Sequence, residues 1–508
     1  MKLSRLLILA LTLGQEILAQ GQSTFNKRYD SFDSLFVQMG RSVESMPDGN
    51  YLVFHNSGWQ DTVFDYGSVV SVLKIDPNGE LLATQRMEHF GHSTYPGWAN
   101  ASFPLSGGGY GVGGGNYAQD GTQRPVLYLF DEEGAPTSFI EYGAAGEEWI
   151  GRQGKQTPDG GYVICGETSS TPSVDAFVIK TDADGVQEWV QTYGGGEIDY
   201  SIAIDNRMSG GFFLGGEFSM SFDNSDLWVQ ALDDSGAVVW DRKWGSAYDE
   251  PNAHLTTASD GHVLVASAWG HGPNWLIRRY LAKLDASDGS IIWQRQYGGI
   301  AYNYPVLYVV QEVIPGGDLI SVGGDRLPGN QYYGVLLRTT STGDSLWMRS
   351  YQYVDSFVDN GSGLLRDVQP TPDGGFIAVG MAFSGNGYSQ DVWVIKTDSM
   401  GCLEPGCHLI QGMETQITNL RGALTVAPNP VASGGNVQVS LNLPESFTPQ
   451  GALRLTVVSS EGRMVQEENL PSGVSSFSFQ LSSFPSGLYH LHLSDASRWI
   501  SGAKLVVE

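Results

Sequence analysis

The sequence predicts an all-β protein: a seven-bladed β-propeller closed by its N-terminal strand, followed by a small Ig-like β-sandwich. Three observations lead there. A turn glycine recurs at Gly49, Gly108, Gly160, Gly210, Gly261, Gly317 and Gly374, with separations of 50 to 59 residues. A four-stranded unit repeating every roughly 40–50 residues is a propeller blade, so seven markers mean seven blades. A second motif also recurs, a turn closing a hydrophobic strand: LKIDPNG, IKTDADG, QALDDSG, AKLDASDG, LRTTSTG and IKTDSMG. From Val426 onward both motifs stop, and short stretches that alternate apolar and polar residues take over, the pattern of a small antiparallel sandwich.

Residues 151–195 show one unit in full. Pro158-Asp159-Gly160-Gly161 is a tight turn, because proline fixes φ and glycine supplies the positive φ of the reversal. Tyr162 to Cys165 and Ala176 to Lys180 are β-prone runs, and Asp182-Ala183-Asp184-Gly185 is the next turn. A strand around Trp189 ends the unit, and Arg152 to Thr157 begins it. The same Trp-centred strand returns as WDRKWG, WQRQYG and WMRSY. A large aromatic in the outermost strand packs between adjacent blades.

Taken in order, the chain opens with Lys2 and Arg5 ahead of an apolar run from Leu6 to Leu13, and Ala19 is the expected cleavage position. Residues 1–19 therefore read as a secretory signal peptide, too short for a membrane helix. Phe25-Asn26-Lys27-Arg28-Tyr29 resembles Trp293-Gln294-Arg295-Gln296-Tyr297, although it precedes the first unit. The seventh unit, ending IKTDSMGCLEPGC, lacks a Trp strand of its own. Residues near 25–29 are expected to supply it, closing the ring over residues 20–407 and removing free sheet edges. Residues 408–425 read as a linker, and 426–508 as the sandwich.

Turns between the first and second strands of each unit, and between the third and fourth, are short. Connections between the second and third strands are longer and share a face with the blade junctions, the place where binding is expected on a rigid frame. That face is rich in aromatics. Trp59, Trp98, Trp149, Tyr200, Tyr248, Trp269, Trp275, Tyr332 and Tyr388 are the candidate ligand-binding residues, since exposed rings stack on sugars or anchor proteins. An acid or amide follows each outer strand at Glu148, Asp199, Glu250 and Asn303. These are placed at the mouth of the central channel, with bonding to backbone amides as the plainer role.

Other chemistry is sparse. Asp182-Ala183-Asp184-Gly185 lacks the further acidic ligands of a calcium loop. His89 and His92 lie in a blade junction without a cysteine nearby, and His490 and His492 read as surface residues of the sandwich. Neither a GxSxG elbow nor an HExxH zinc motif occurs. No metal, cofactor or catalytic residue is assigned.

With 28 basic against 55 acidic residues, the net charge is −27 and the pI about 4.5. Such a field repels phosphate backbones and excludes nucleic acid as a partner. No run of about 20 apolar residues follows the signal, so no transmembrane segment is expected. Of three cysteines, Cys402 and Cys407 are expected to form a small disulfide loop in an exported chain, with Cys165 a buried free thiol.

Two resemblances add to this reading. Ala427-Pro428-Asn429-Pro430, Ser460-Glu461-Gly462-Arg463, Pro485-Ser486-Gly487-Leu488-Tyr489 and Lys504-Leu505-Val506-Val507 resemble the type A sorting domain of the bacterial type IX secretion system. Members often end on a basic residue, whereas this chain ends on Glu508. The resemblance implies passage through the periplasm, recognition by the type IX machinery at the outer membrane, and a secreted or cell-surface protein. The repeats resemble those of secreted bacterial propellers and, more distantly, the quinoprotein-like class. Leu284-Asp285-Ala286-Ser287-Asp288-Gly289 followed by Trp293 is similar to its tryptophan-docking motif. That resemblance implies fold and not activity. Seven units and no adjacent cysteine pair depart from quinone-binding members, so no cofactor is expected.

The functional expectation is an exported propeller that binds a glycan or protein partner through its long-loop face, more a binding protein than an enzyme. The alternative is a secreted polysaccharide hydrolase or lyase using acids at the channel mouth, since carboxylate pairs at about 5–10 Å perform glycoside chemistry.

Overall fold

The computed structural model describes residues 23–508 apart from 31–36, 63–64, 88–92, 119, 170–172, 196–197, 222–223, 303–304, 328–330, 355–361, 384–389, 405–406, 408–413, 421, 445–446, 450, 460–462, 472 and 496–497. The signal segment, His89, His92, Asn303 and Tyr388 thus lie outside the described residues, as do the side chains of Trp59 and Tyr66.

The fold is all-β and propeller-like, built from antiparallel four-stranded sheets. The stretch around Gly160 gives the type. Trp149–Gln156, Tyr162–Thr168, Asp175–Thr181 and Gln187–Tyr193 pair in sequence order. The first sheet, from Met39–Ser45 to Leu81–Arg86, repeats this order, as do the fourth (Asp199–Asn206 to Val238–Trp244), fifth (His254–Thr257 to Ile291–Tyr302) and sixth (Leu307–Glu312 to Ser345–Val354). In the second sheet the innermost strand is split into Ser93–Pro96 and Ser102–Pro104, both paired with Tyr110–Tyr117. In the last sheet, Gly363–Pro370, Phe376–Phe383 and Gln390–Thr397 are completed by Phe25–Tyr29, with Phe25 opposite Lys396 and Tyr29 opposite Val392.

The expected turn glycines have positive φ at six of the seven positions; in the sixth sheet Gly316, one residue earlier than Gly317, takes that conformation. In five sheets a basic residue of the third strand also clamps the Asp of the turn between strands one and two. The pairs are Lys74–Asp48, Lys180–Asp159, Lys283–Asp260, Arg338–Asp318 and Lys396–Asp373. In the next turn the carboxylate of Asp182 accepts the N–H groups of Asp184 and Val186 at 3.0 and 2.8 Å, an Asx turn rather than an open ligand.

Neighbouring sheets share cores. Val163, Cys165 and Val178 pack against Ile204, Phe212 and Leu214, and Val43, Val53 and Leu73 of the first sheet pack against Ile377, Val379 and Val394 of the last. Nearer the middle, side chains of innermost strands reach the next sheet. Gln153 accepts from the Ile204 N–H at 2.8 Å, Asp205 from Thr257 at 2.7 Å, and Asp367 of the last sheet from Val43 of the first at 2.9 Å. At the rim, Trp189, Trp240, Trp293, Trp347 and Phe25 each lie on a glycine of the following sheet's turn: Gly236, Gly289, Gly343, Gly401 and Gly79. A Cβ on any of these glycines would meet the ring at 2.8–3.0 Å.

The C-terminal module is a sandwich of a three-stranded sheet (Leu424–Ala427, Asn436–Leu441, Ser476–Gln480) and a larger one containing Arg454–Ser459, Met464–Asn469, Gly487–Ser494 and Arg498–Val507. Val437, Val439, Leu455, Val457, Leu491 and Leu505 fill its core. Two expectations change here. Residues 408–425, read as a linker, include the strand Glu414–Leu420. It runs parallel to Ser345–Val354 on one side and pairs Gln416 with Arg498 on the other, joining the sandwich to the sixth sheet. His490 and His492, read as surface residues, are buried. Their face is covered by the loop of the Cys402–Cys407 disulfide: His490 Nδ1 lies 3.5 Å from Glu404, and Trp499 donates from Nε1 to His492 Nδ1 at 2.8 Å. Trp499 is buried in one cluster with Trp347, Cys402 and Cys407. Cys165 is a buried free thiol, and burial pushes its pKa up to about 12.

Candidate functional site

The site begins with a backbone irregularity. In five innermost strands one residue is left unpaired by a register shift: Arg41, Arg152, Ile202, Tyr308 and Arg366. A bulge kinks its strand and re-aims the extra side chain. In the second sheet the corresponding interruption, between Pro96 and Ser102, carries Trp98.

Arg41, Arg152, Tyr308 and Arg366, from sheets far apart in sequence, converge around Trp98. The Arg366 guanidinium carbon lies 4.2 Å from the ring centre of Tyr308 and 4.9 Å from that of Trp98. Those of Arg41 and Arg152 lie 5.4 and 5.7 Å from Trp98. Each is within cation–π range of a ring. Beside them opens a cavity of about 250 Å³ lined by Arg41, Arg152, Trp98, Tyr95, Tyr117 and Asn56, among others. It sits where innermost strands begin, at Met39 and Gly151, beside Asn56 in the middle of the strand Tyr51–Thr62 and Tyr117 at the end of Tyr110–Tyr117. That is the face of the second-to-third connections, several of which are shorter than expected because strands extend into them: Phe212–Ser221 and Asn224–Leu232, and Val263–Gly272 and Leu276–Leu284, are separated by only a few residues.

The polar groups here are unevenly satisfied. Arg152 donates from Nε to Glu167 Oε2 at 2.9 Å, and from Nη2 to Oε1. Arg41 donates from Nη1 to the Trp98 carbonyl at 3.1 Å, but its Nε has no partner among the described residues. Arg366 is only 8% exposed, and its Nε and Nη1 have none. Asn56, 6% exposed, donates from Nδ2 toward the Val37 carbonyl at 3.4 Å, while its Oδ1 accepts nothing among the described residues. Burial, then the charges of Arg366 and Arg152, pull the Arg41 pKa down to about 9. It remains a cation at neutral pH. In a protein of charge −27 this is a concentrated positive centre.

Among the aromatics expected on this face, Trp98 lies in the cavity, 36% exposed. Tyr200 donates its hydroxyl to Glu217 at 2.7 Å. Trp149 packs edge-on against Phe177, while Trp269 lies tilted against Tyr280 and Tyr332 tilted against Phe383. Tyr248 and Trp275 are exposed, away from the cavity lining. Trp59 is in a strand opposite Gly67.

The three described acids are turned to backbone and amide donors. Glu148 accepts from Gln123 N and Nε2 at 2.8 and 2.9 Å. Asp199 accepts from the Gly195 and Ser219 N–H groups at 2.6 and 2.9 Å. Glu250 accepts from those of Ser246 and Gly270, both at 2.9 Å; burial moves its pKa up to about 7. None of the three lines the cavity. The residues that do, or that back it, include Arg41, Arg152, Arg366 and Asn56, which sequence reasoning did not single out. A signal was present: Arg41, Arg152, Ile202 and Arg366 each stand eight residues before a turn glycine.

Comparison with known proteins identifies one module. Residues 425–508 match the family described as the secretion system C-terminal sorting domain. This domain marks the protein for export to the cell surface or secretion, and it implies contact with the secretion machinery. No curated protein matches the chain. Among solved structures it is similar to Sqt1 from Chaetomium thermophilum, at TM-score 0.41 and 12% identity over 71% of this chain and 85% of that one. It is also similar to Hsv2 from Kluyvelomyces marxianus, at TM-score 0.35 and 11% identity over 70% of this chain and 98% of that one. Among the described residues no helix is long and apolar enough to cross a membrane.

Proposed function

We propose, from the premise that residues 425–508 are a secretion-system sorting domain and that the protein is exported, that the remainder is a seven-bladed propeller closed by Phe25–Tyr29. In this reading it is a non-catalytic binding protein that takes a glycan or protein partner on its long-loop face. The sandwich is its type IX delivery tag, and residues 1–19 are its signal for the inner membrane. Closure is supported by the pairing of Phe25–Tyr29 with the last sheet and by the core that the first and last sheets share.

The observation that carries the binding reading is the cavity at Trp98. It is open on the long-loop face, walled by aromatic rings, and holds polar groups left without partners in a buried setting. Buried polar groups are nearly always hydrogen-bonded, to protein, ordered water or a ligand, and those beside an open cavity are within reach of one. The hydrolase or lyase alternative has less support, because Glu148, Asp199 and Glu250 spend their lone pairs on backbone and amide donors. A glycan array combined with a polysaccharide-hydrolysis screen on the purified propeller tests both. Retention of a glycan without turnover is expected; release of reducing ends from any polymer would overturn the non-catalytic reading.

A further inference from the structure

We infer that the cavity beside Trp98 binds an acidic sugar, with the carboxylate on Arg41, which lines the cavity and is backed by Arg366, and the pyranose ring against Trp98. This rests on the binding reading above and gives it a ligand class.

Three features define the ligand. The first is charge. Arg41 and Arg366 have no carboxylate partner among the described residues, while Arg152 beside them is already paired with Glu167. A buried cation without a counter-charge is costly. Arg366 is buried and Arg41 beside it half-buried, and an anion in the cavity supplies the missing counter-charge. Guanidinium groups present planar forks that suit a carboxylate.

The second feature is shape. Trp98 and Tyr117 are the exposed rings of the cavity, and Tyr95 lies beside Tyr117, their ring centres 5.8 Å apart. A flat apolar ring face takes the C–H face of a pyranose. At about 250 Å³ the cavity is at or below the small end of ligand pockets, roughly 300–1,000 Å³, and suits one sugar ring rather than a folded partner. The third feature is the unused acceptor Asn56 Oδ1, in the same wall. A carboxylate alone has no donor to offer it. A sugar hydroxyl does. Donors, acceptor and ring together call for a ligand that is anionic, hydroxylated and flat on one face.

The test is titration of the full chain with glucuronate, glucose and acetate, read by calorimetry and tryptophan fluorescence. Glucuronate is expected to bind at least about tenfold more tightly than glucose or acetate, each of which meets only part of the site. Arg41→Gln and Trp98→Ala are each expected to weaken glucuronate by about tenfold or more, while Trp275→Ala leaves it unchanged. Melting curves establish that the variants fold. Should Trp98→Ala fail to fold, Trp98→Phe and Arg41→Lys supply the same comparison. Glucuronate binding no tighter than glucose or acetate, or binding that survives both substitutions, overturns the assignment. A chain that retains a neutral glycan or a protein on its long-loop face while ignoring glucuronate overturns this inference and leaves the broader reading standing. Polymer turnover with glucuronate still bound at Trp98 does the reverse.

Discussion

Tyr29, in the outermost strand of the last sheet, donates its hydroxyl hydrogen to the carbonyl oxygen of Gly79 in the first sheet at 2.8 Å. The bond repeats between consecutive sheets: Tyr142 to Gly185 at 3.0 Å, Tyr193 to Gly236 at 2.8 Å, Tyr297 to Gly343 at 2.6 Å and Tyr351 to Gly401 at 2.7 Å. Burial raises the pKa of each hydroxyl, keeping it a donor. The fourth outer strand has Trp244 in this place, which bonds to the Tyr280 hydroxyl instead. The N-terminal strand is thus held by the same clasp as the internal ones.

Tyr29→Phe and Tyr193→Phe should therefore cost similar stability, about 1 kcal/mol each, because both strand a buried carbonyl. Chemical denaturation of the two variants measures this. A loss at Tyr193 with none at Tyr29 would contradict closure by the N-terminal strand.

Arg366→Met should raise the melting temperature of the ligand-free protein. The substitution removes a guanidinium whose Nε and Nη1 lack partners and keeps much of the volume. Replacing buried charge by apolar side chains stabilises by about 1–4 kcal/mol in known cases, and a single unpaired cation belongs at the lower end. Binding of acidic ligand should fall in the same variant. Scanning calorimetry with and without ligand checks both, and an unchanged or lower melting temperature would count against an unpaired charge.

Asp367 should impose a pH dependence on stability. Burial, reinforced by the charge of Glu44, lifts its pKa from 3.8 to about 7, against the pull of the Val43 and Val368 N–H groups and the Ser42 hydroxyl. Between pH 3.8 and about 7 the folded state holds this proton and the unfolded state does not. Its contribution to stability is therefore present below that window, falls as pH rises through it, and levels off above. Asp367→Asn keeps an acceptor for Val43 and removes the titration. The melting temperature of the variant relative to the parent should climb from pH 4 to pH 7 and then stay flat. A constant difference would place the Asp367 pKa near its ordinary value.

Deletion of residues 426–508 should abolish export to the surface or medium and, in the proposed reading, leave the remainder in the periplasm, because the sorting domain is gone. Cell fractionation with an antibody to the propeller detects this. Normal surface delivery of the truncated chain would remove the sorting role. The truncation also uncovers Trp347 and the Cys402–Cys407 loop, which Trp499 covers, so some loss of thermal stability should accompany it.

What the sequence determined by itself was local. A turn glycine, an Asp two or four residues from the amides it caps, and a Trp four residues before a Tyr are all short-range patterns, and they repeat because each sheet meets its neighbour in the same way. The export module was legible for the same reason: its motifs lie within about eighty residues of each other. What required the tertiary structure were groups brought together from different sheets. Trp98 could be marked as an exposed ring. That it faces Arg366, 268 residues further along the chain, follows only once four innermost strands bring their bulged residues Arg41, Arg152, Tyr308 and Arg366 around it. The acids Glu148, Asp199 and Glu250 stood out by spacing, yet spacing does not say which amide a carboxylate will turn toward. His490 and His492 alternate like surface residues, and it is the docking of Trp499 against the disulfide loop that buries them. Periodicity reports which face of a strand is apolar or polar; what will cover that face is decided by contacts far away along the chain.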